Sequence, residues 1–313
     1  MITKYLSNIP ISIGAIILSL AAMGNLVSSI LPFSREISLL IGLPLLLITI
    51  SKLIVMPTTL KNDLNNPILA SVIAAFSMSF MLWSMFLIPY LGINICIMLW
   101  YLAILLHLLF VINYIIKFIW KINVSDYTAG SFVVFAGIQM IGITAPAFNQ
   151  QLLGTIAFWI SFIFVCFVFI IVTYRYITIK VPKQLQPIIG VYAAPISLCL
   201  VGYLSSVRPF NPTFAIGMFI LTKVLYIMIL IKFFEYRDYP FYPTYTGYTF
   251  PLAINATTTY QMIIHIVTNP TIKMYMTYQL YFEIIIGVCI IFYVLINFLI
   301  NIFIRNWEEK NKN

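Results

Sequence analysis

Few side chains in this sequence could do acid–base or metal chemistry. Two histidines, His107 and His265, and eight acidic residues are spread over 313 residues. Cys96, Cys166, Cys199 and Cys289 each stand alone inside an apolar run, with no CxxC pair. Lone cysteines in such runs are packing residues and not disulfides or ligands. A hydrolytic or metal centre needs several ligating or titrating groups together, so no catalytic residue, metal or cofactor is expected. No GxxxxGK[ST] phosphate loop occurs, which argues against an ATP-driven pump.

The polar chemistry that does stand out is of another kind. The stretch TGYTFPLAINATTTY, Thr246 to Tyr260, carries a proline, a glycine, an asparagine and five threonines within an otherwise apolar chain. Hydroxyls and the backbone carbonyls freed by a proline can pass an ion without holding it. Phe250 and Pro251 lie inside this stretch, and an aromatic ring across a narrow neutral path is a steric and dewetting barrier. Three ionisable residues, His107, Lys223 and Glu283, fall at depth in other apolar runs. Lys223 reads either as a helix or subunit contact or as a source of positive potential near the path, paired with Glu283.

The elements that must position these residues follow from composition. The chain is 62% hydrophobic and 8% charged, with a mean hydropathy of +1.04. Apolar stretches of about 20 residues, the length that crosses a bilayer core, recur from end to end. A β-barrel would show short alternating segments instead. The start, MITKYLSNIPISIGAIILSL, has no small-x-small cleavage site and reads as a first span and not as a removed signal. Polar and proline-bearing breaks divide the chain into ten spans: 9–30, 37–56, 67–90, 93–117, 130–148, 151–177, 187–207, 212–235, 244–268 and 278–304.

Loop charge supports that count. With a cytoplasmic N-terminus, one side collects Lys4, Lys52, Lys61, Lys117, Lys121, Arg175, Lys180, Lys183, Lys232, Arg237, Arg305, Lys310 and Lys312, while Arg35, Arg208 and Lys273 face out. Basic residues concentrate on the cytoplasmic side of membrane proteins, which places both termini inside the cell membrane. The net charge of +9 is then mostly a topology signal and no evidence for nucleic acid.

Two kinds of span alternate. The even ones are bulky, as in TIAFWISFIFVCFVFIIV, and can face lipid all round. The odd ones carry small residues and prolines, as in PIIGVYAAPISLCLVGYLSS. Small residues let helices approach closely, and proline frees carbonyls that protein or water must satisfy. The odd spans are therefore expected inside, lining a path. Their interiors hold no Asp, Glu, Lys or Arg. A proton-coupled carrier places a titrating group at mid-membrane, so a channel is favoured over a coupled carrier. A membrane enzyme or sensor lacks its clustered titrating groups or its soluble effector domain.

Five pieces carry a family resemblance: IPISIGAIILSLAAMGN, NNPILASVIAAFSM, YTAGSFVVFAGIQ, QLQPIIGVYAAPISLCLVGYLS and YTFPLAINATTTYQM. Together they resemble the tellurite-resistance and dicarboxylate transporter family, which includes bacterial TehA, fungal malate and sulfite transporters and plant guard-cell slow anion channels. The resemblance covers essentially the whole chain. It implies an all-α integral membrane protein of ten transmembrane helices, arranged as five helical hairpins around a central pore, and a homotrimer passing small inorganic or organic anions. It also implies that Phe250 plugs the pore and that Pro251 kinks its helix, with Pro10, Pro67 and Pro195 as the kink prolines of other inner spans. In the fifth span, Phe135 stands where the family often has proline, followed by Gly137. A coupled carrier for malate-like dicarboxylates, sulfite or tellurite is the alternative within the same family.

Overall fold

A computed structural model of the protein describes residues 6–120 and 123–311; at 303 and 305–311 it describes the backbone alone. Lys4, Lys121 and Lys312 lie outside the described residues. No strand occurs among them. The long helical segments are α1 (Ile13–Val27), α2 (Ser34–Val55), α3 (Pro67–Phe86), α4 (Ile93–Ile119), α5 (Ser131–Phe148), α6 (Gln151–Thr178), α7 (Lys183–Ser206), α8 (Pro212–Glu235), α9 (Thr249–His265) and α10 (Pro270–Asn311). Eight of them are long and apolar enough to cross a membrane. The other two, α1 with 15 residues and α9 with 17, are shorter.

Several boundaries are set by one local device. Asn66, Asn211 and Asn269 each precede a proline that opens a helix, and each side-chain oxygen accepts the backbone N–H groups two and three residues on. Proline suits the first helical position because its missing N–H would have no partner there, and asparagine satisfies the orphan donors beyond it. This is why α10 starts at Pro270, ahead of the hydropathic onset near 278.

The segments alternate in burial. In their most apolar 18-residue stretches, α3, α5 and α7 are 72 to 89% buried, whereas α2, α4, α6, α8 and α10 are 28 to 44% buried. In α1 every residue but Asn25 and Val27 is buried. Each odd segment packs against the even one that follows it, and the odd ones also pack in sequence, with α9 closing back onto α1. The result is a ring of five inner segments with five others outside it. Close approach within the ring needs glycine. A Cβ on Gly14 of α1 would stand 2.9 Å from the Phe76 backbone nitrogen of α3.

Three of the inner segments are also interrupted and a fourth follows a 3-10 stretch, whereas most of the outer ones are continuous. Inner α3 breaks at Ile73 and α5 at Gly137 and Ile138. In α7 a 3-10 stretch, Lys183–Ala193, precedes the α-helical Ala194–Ser206, and α9 follows a 3-10 stretch at Pro243–Tyr248. Pro195 and Pro251 fall in the first turns of these α-helical parts, where the absent N–H is tolerated. Pro67 opens α3, and the bend of that segment lies six residues further on, at Ile73.

The break in α5 frees backbone carbonyls inside the bundle, and outer segments satisfy two of them. His107 of α4 lies 3.1 Å from the Val134 carbonyl through Nε2. A carbonyl can only accept, so Nε2 carries the proton and Nδ1 takes the Ser77 hydroxyl at 2.8 Å. The Ser161 hydroxyl of α6 donates to the Phe135 carbonyl at 2.8 Å.

Candidate functional site

The ring of inner segments encloses a cavity of about 320 Å³. Every inner segment contributes to its wall: Ala15 and Leu18 from α1, Val72, Ala75 and Met78 from α3, Phe132, Val133 and Ala136 from α5, Ile188, Val191, Ala194 and Leu198 from α7, and Phe250 and Pro251 from α9. The wall is made by their N-terminal parts, reaching about two thirds of the way along α7. Nothing beyond Leu18, Met78, Ala136, Leu198 and Pro251 on these segments lines it. The cavity therefore runs inward from one end of the bundle, with Phe250, 5% exposed, among the residues of its wall.

The residues singled out in the sequence fall into two groups. Phe250, Pro251 and Pro10 line this cavity together. Pro67, Pro195, Phe135 and Gly137 do not. Phe135 points toward the outer segments, its ring stacked on Phe164 at 5.2 Å and set edge-on to Tyr114 at 6.0 Å. Gly137 is the space that admits His107: a Cβ there would lie 2.5 Å from the imidazole.

The open end is polar. Ser7, Asn8, Thr59, Thr244 and Thr246 line it, with Lys52 from α2 and Asp63 from the short helix Pro57–Asp63. Lys52 is 6% exposed and its ammonium donates to the Ile9 carbonyl just ahead of α1. Burial raises the Asp63 carboxyl above its ordinary range, and the Lys52 ammonium opposes that rise. Nearby, Lys117 of α4 donates to Leu64 O at 3.2 Å and Asn65 Oδ1 at 2.7 Å, tying down the connection into α3. Sequence reasoning counts Lys52 only as a topology charge and passes over Asp63. Their meeting at the cavity end depends on a fold of α2 that hydropathy does not reveal.

A second polar cluster lies off the cavity. The Lys223 ammonium of α8 donates to Glu283 Oε1 of α10 at 2.8 Å, to Asn255 Oδ1 at 2.6 Å and Asn255 O at 3.2 Å, and to Thr259 Oγ1 at 2.7 Å, the last two residues being on α9. Glu283 is also held by the Thr259 hydroxyl at 2.6 Å and by Gln279 Nε2 at 2.8 Å. Of the two sequence readings of Lys223, the helix contact describes this arrangement; the pairing with Glu283 that the other reading included is also present, but away from the cavity wall.

The sequence model of the SLAC1 family, voltage-dependent anion channels, matches residues 8–302. That span takes in all five inner segments, Phe250 and every residue of the cavity wall but Ser7. The chain belongs to this family. The resemblance to TehA-like proteins and plant slow anion channels is thereby borne out over nearly the whole chain. No curated protein matches it at a significant level. Membership in the voltage-dependent anion channel family, with the apolar segments, makes this a multi-pass membrane protein of anion transport.

Proposed function

We propose that the protein is an anion channel whose ten transmembrane helices form five hairpins around a central pore, with Phe250 as the gate. The observation that carries this reading is the cavity: five inner segments ring it, three of them interrupted along their length, and Phe250 and Pro251 are the residues that α9 brings to its wall. The ring segments contribute no Asp, Glu, Lys or Arg to its wall. A neutral wall binds weakly enough to release an ion, as conduction requires, and it offers no proton-carrying group of the kind a coupled carrier uses at mid-membrane.

The sign of the ion has its own support. The first turns of the α-helical parts at Ile13–Val27, Ala74–Phe86, Ala194–Ser206 and Thr249–His265 all reach the cavity through Ala15, Ala75, Ala194 and Phe250. Helix N-termini carry partial positive charge and favour anions. At the mouth Lys52 brings a cation, with Asp63 on the same wall as its counter-charge.

Small inorganic or organic anions are the permeants in this reading. The protein is a homotrimer in the cell membrane with both termini cytoplasmic, and the cavity opens on the cytoplasmic side. Reversal potentials in a planar bilayer test it: replacing the anion should shift them and replacing the cation should not. Saturable, proton-driven uphill uptake of malate, sulfite or tellurite in proteoliposomes would favour the carrier reading instead.

A further inference from the structure

The cluster around Lys223 binds together four segments, and the segment at its centre is the one that carries Phe250. Asn255 and Thr259 are fully buried on α9, and Glu283 is 1% exposed. Asn255 also donates through Nδ2 to the Ser197 hydroxyl of α7 and to the Thr222 carbonyl of α8, each at 3.2 Å. From Thr249 to His265 the helix is unbroken, so Phe250 and Asn255 belong to one rigid rod, about 7.5 Å apart along its axis at 1.5 Å per residue. Below Thr249 the rod gives way to a 3-10 stretch, and Pro251 supplies no N–H in the first turn. The upper part of α9 is thus held by a charge-centred network, while the lower end continues into a 3-10 stretch held by neutral threonine hydroxyls, with Thr249 donating to the Ala15 and Thr246 carbonyls.

We infer that Lys223, Glu283, Asn255 and Thr259 are a positioning clamp that fixes the height and rotation of α9 and thereby keeps the Phe250 ring across the cavity. The inference rests on the reading of Phe250 as the gate. A bundle that needed only cohesion at this depth could use apolar side chains, which pack as well or better than a buried ion pair. A charged, multiply bonded pair instead selects one register, because each bond is lost when α9 slides or turns. Lengthwise slip or rotation of α9 would carry Phe250 with it.

The test compares anion conductance of Lys223→Met, Thr259→Val and Phe250→Ala, and of Lys223→Met combined with Phe250→Ala, each normalised to protein at the cell surface. Thr259→Val preserves shape and strands no charge, so it reports even if Lys223→Met folds poorly. The clamp predicts a several-fold rise in basal conductance for Thr259→Val and a larger one for Lys223→Met. It also predicts that the double variant conducts no more than Phe250→Ala alone. A purely cohesive role would lower surface abundance and leave conductance per channel unchanged. Wild-type conductance in Thr259→Val, or the same gain from Lys223→Met with and without Phe250, would overturn the clamp while Phe250→Ala still conducts more. If Phe250→Ala itself conducts no more than wild type, the gate reading fails, and the clamp with it.

Discussion

His107 of α4 donates its Nε2 proton to the Val134 carbonyl of α5, 3.1 Å away, at the point where α5 is interrupted. Both groups are fully buried. A histidine deep in a bulky outer segment invites a reading as a proton-handling group, but its two nitrogens are occupied by a carbonyl and a serine hydroxyl. It serves the inner segment as a replacement for a missing backbone donor.

His107→Ala should therefore destabilise the protein by about 2 kcal/mol or more, the order expected when a buried carbonyl loses its partner. His107→Gln, which keeps a donor, should recover part of that. Thermal unfolding in detergent would check both, and a His107→Ala protein as stable as wild type would remove the argument.

Gly137→Ala should be at least as damaging as His107→Ala. The added methyl would stand 2.4 Å from the Val133 carbonyl oxygen and 2.5 Å from the His107 ring, so backbone and imidazole cannot both stay in place. Loss of yield or a lowered unfolding temperature is the expected outcome.

Asp63 predicts a pH dependence at the cavity mouth. Its folded carboxyl titrates above the ordinary range, with burial as the main cause and Lys52 in opposition. A raised carboxyl contributes stability that is present below the unfolded value and lost as pH rises through the folded one. In conduction the same proton removes the counter-charge to Lys52, so anion current should grow as cytoplasmic pH falls through the window just above ordinary carboxylate values. Asp63→Asn should conduct more at neutral pH and lose that acid-dependent component; an unchanged pH profile in inside-out patches would contradict it.

Much of the arrangement is legible in the sequence. Runs such as TIAFWISFIFVCFVFIIV and PIIGVYAAPISLCLVGYLSS separate outer from inner segments because lipid-facing and ring-facing helices need different side-chain sizes. Phe250 stands out because polar residues crowd an apolar span. The breaks at Ile73 and at Gly137 and Ile138 are not legible, since no proline marks either; the one in α5 is served by donors from elsewhere, His107 and Ser161. Nor does the mouth declare itself. Lys52 and Asp63 meet only once α2 and the short helix after it are in place. The Lys223–Glu283 pair was open to suspicion but its attachment to α9 was not, because α8 is apolar on every side and its pattern does not say which face turns inward.

The most direct test of the central claim is single-channel or macroscopic anion current for Phe250→Ala against wild type at matched surface density. The account predicts a larger basal anion conductance in the variant, with the reversal potential still set by the anion gradient. A folded, surface-resident Phe250→Ala protein with wild-type current would contradict it.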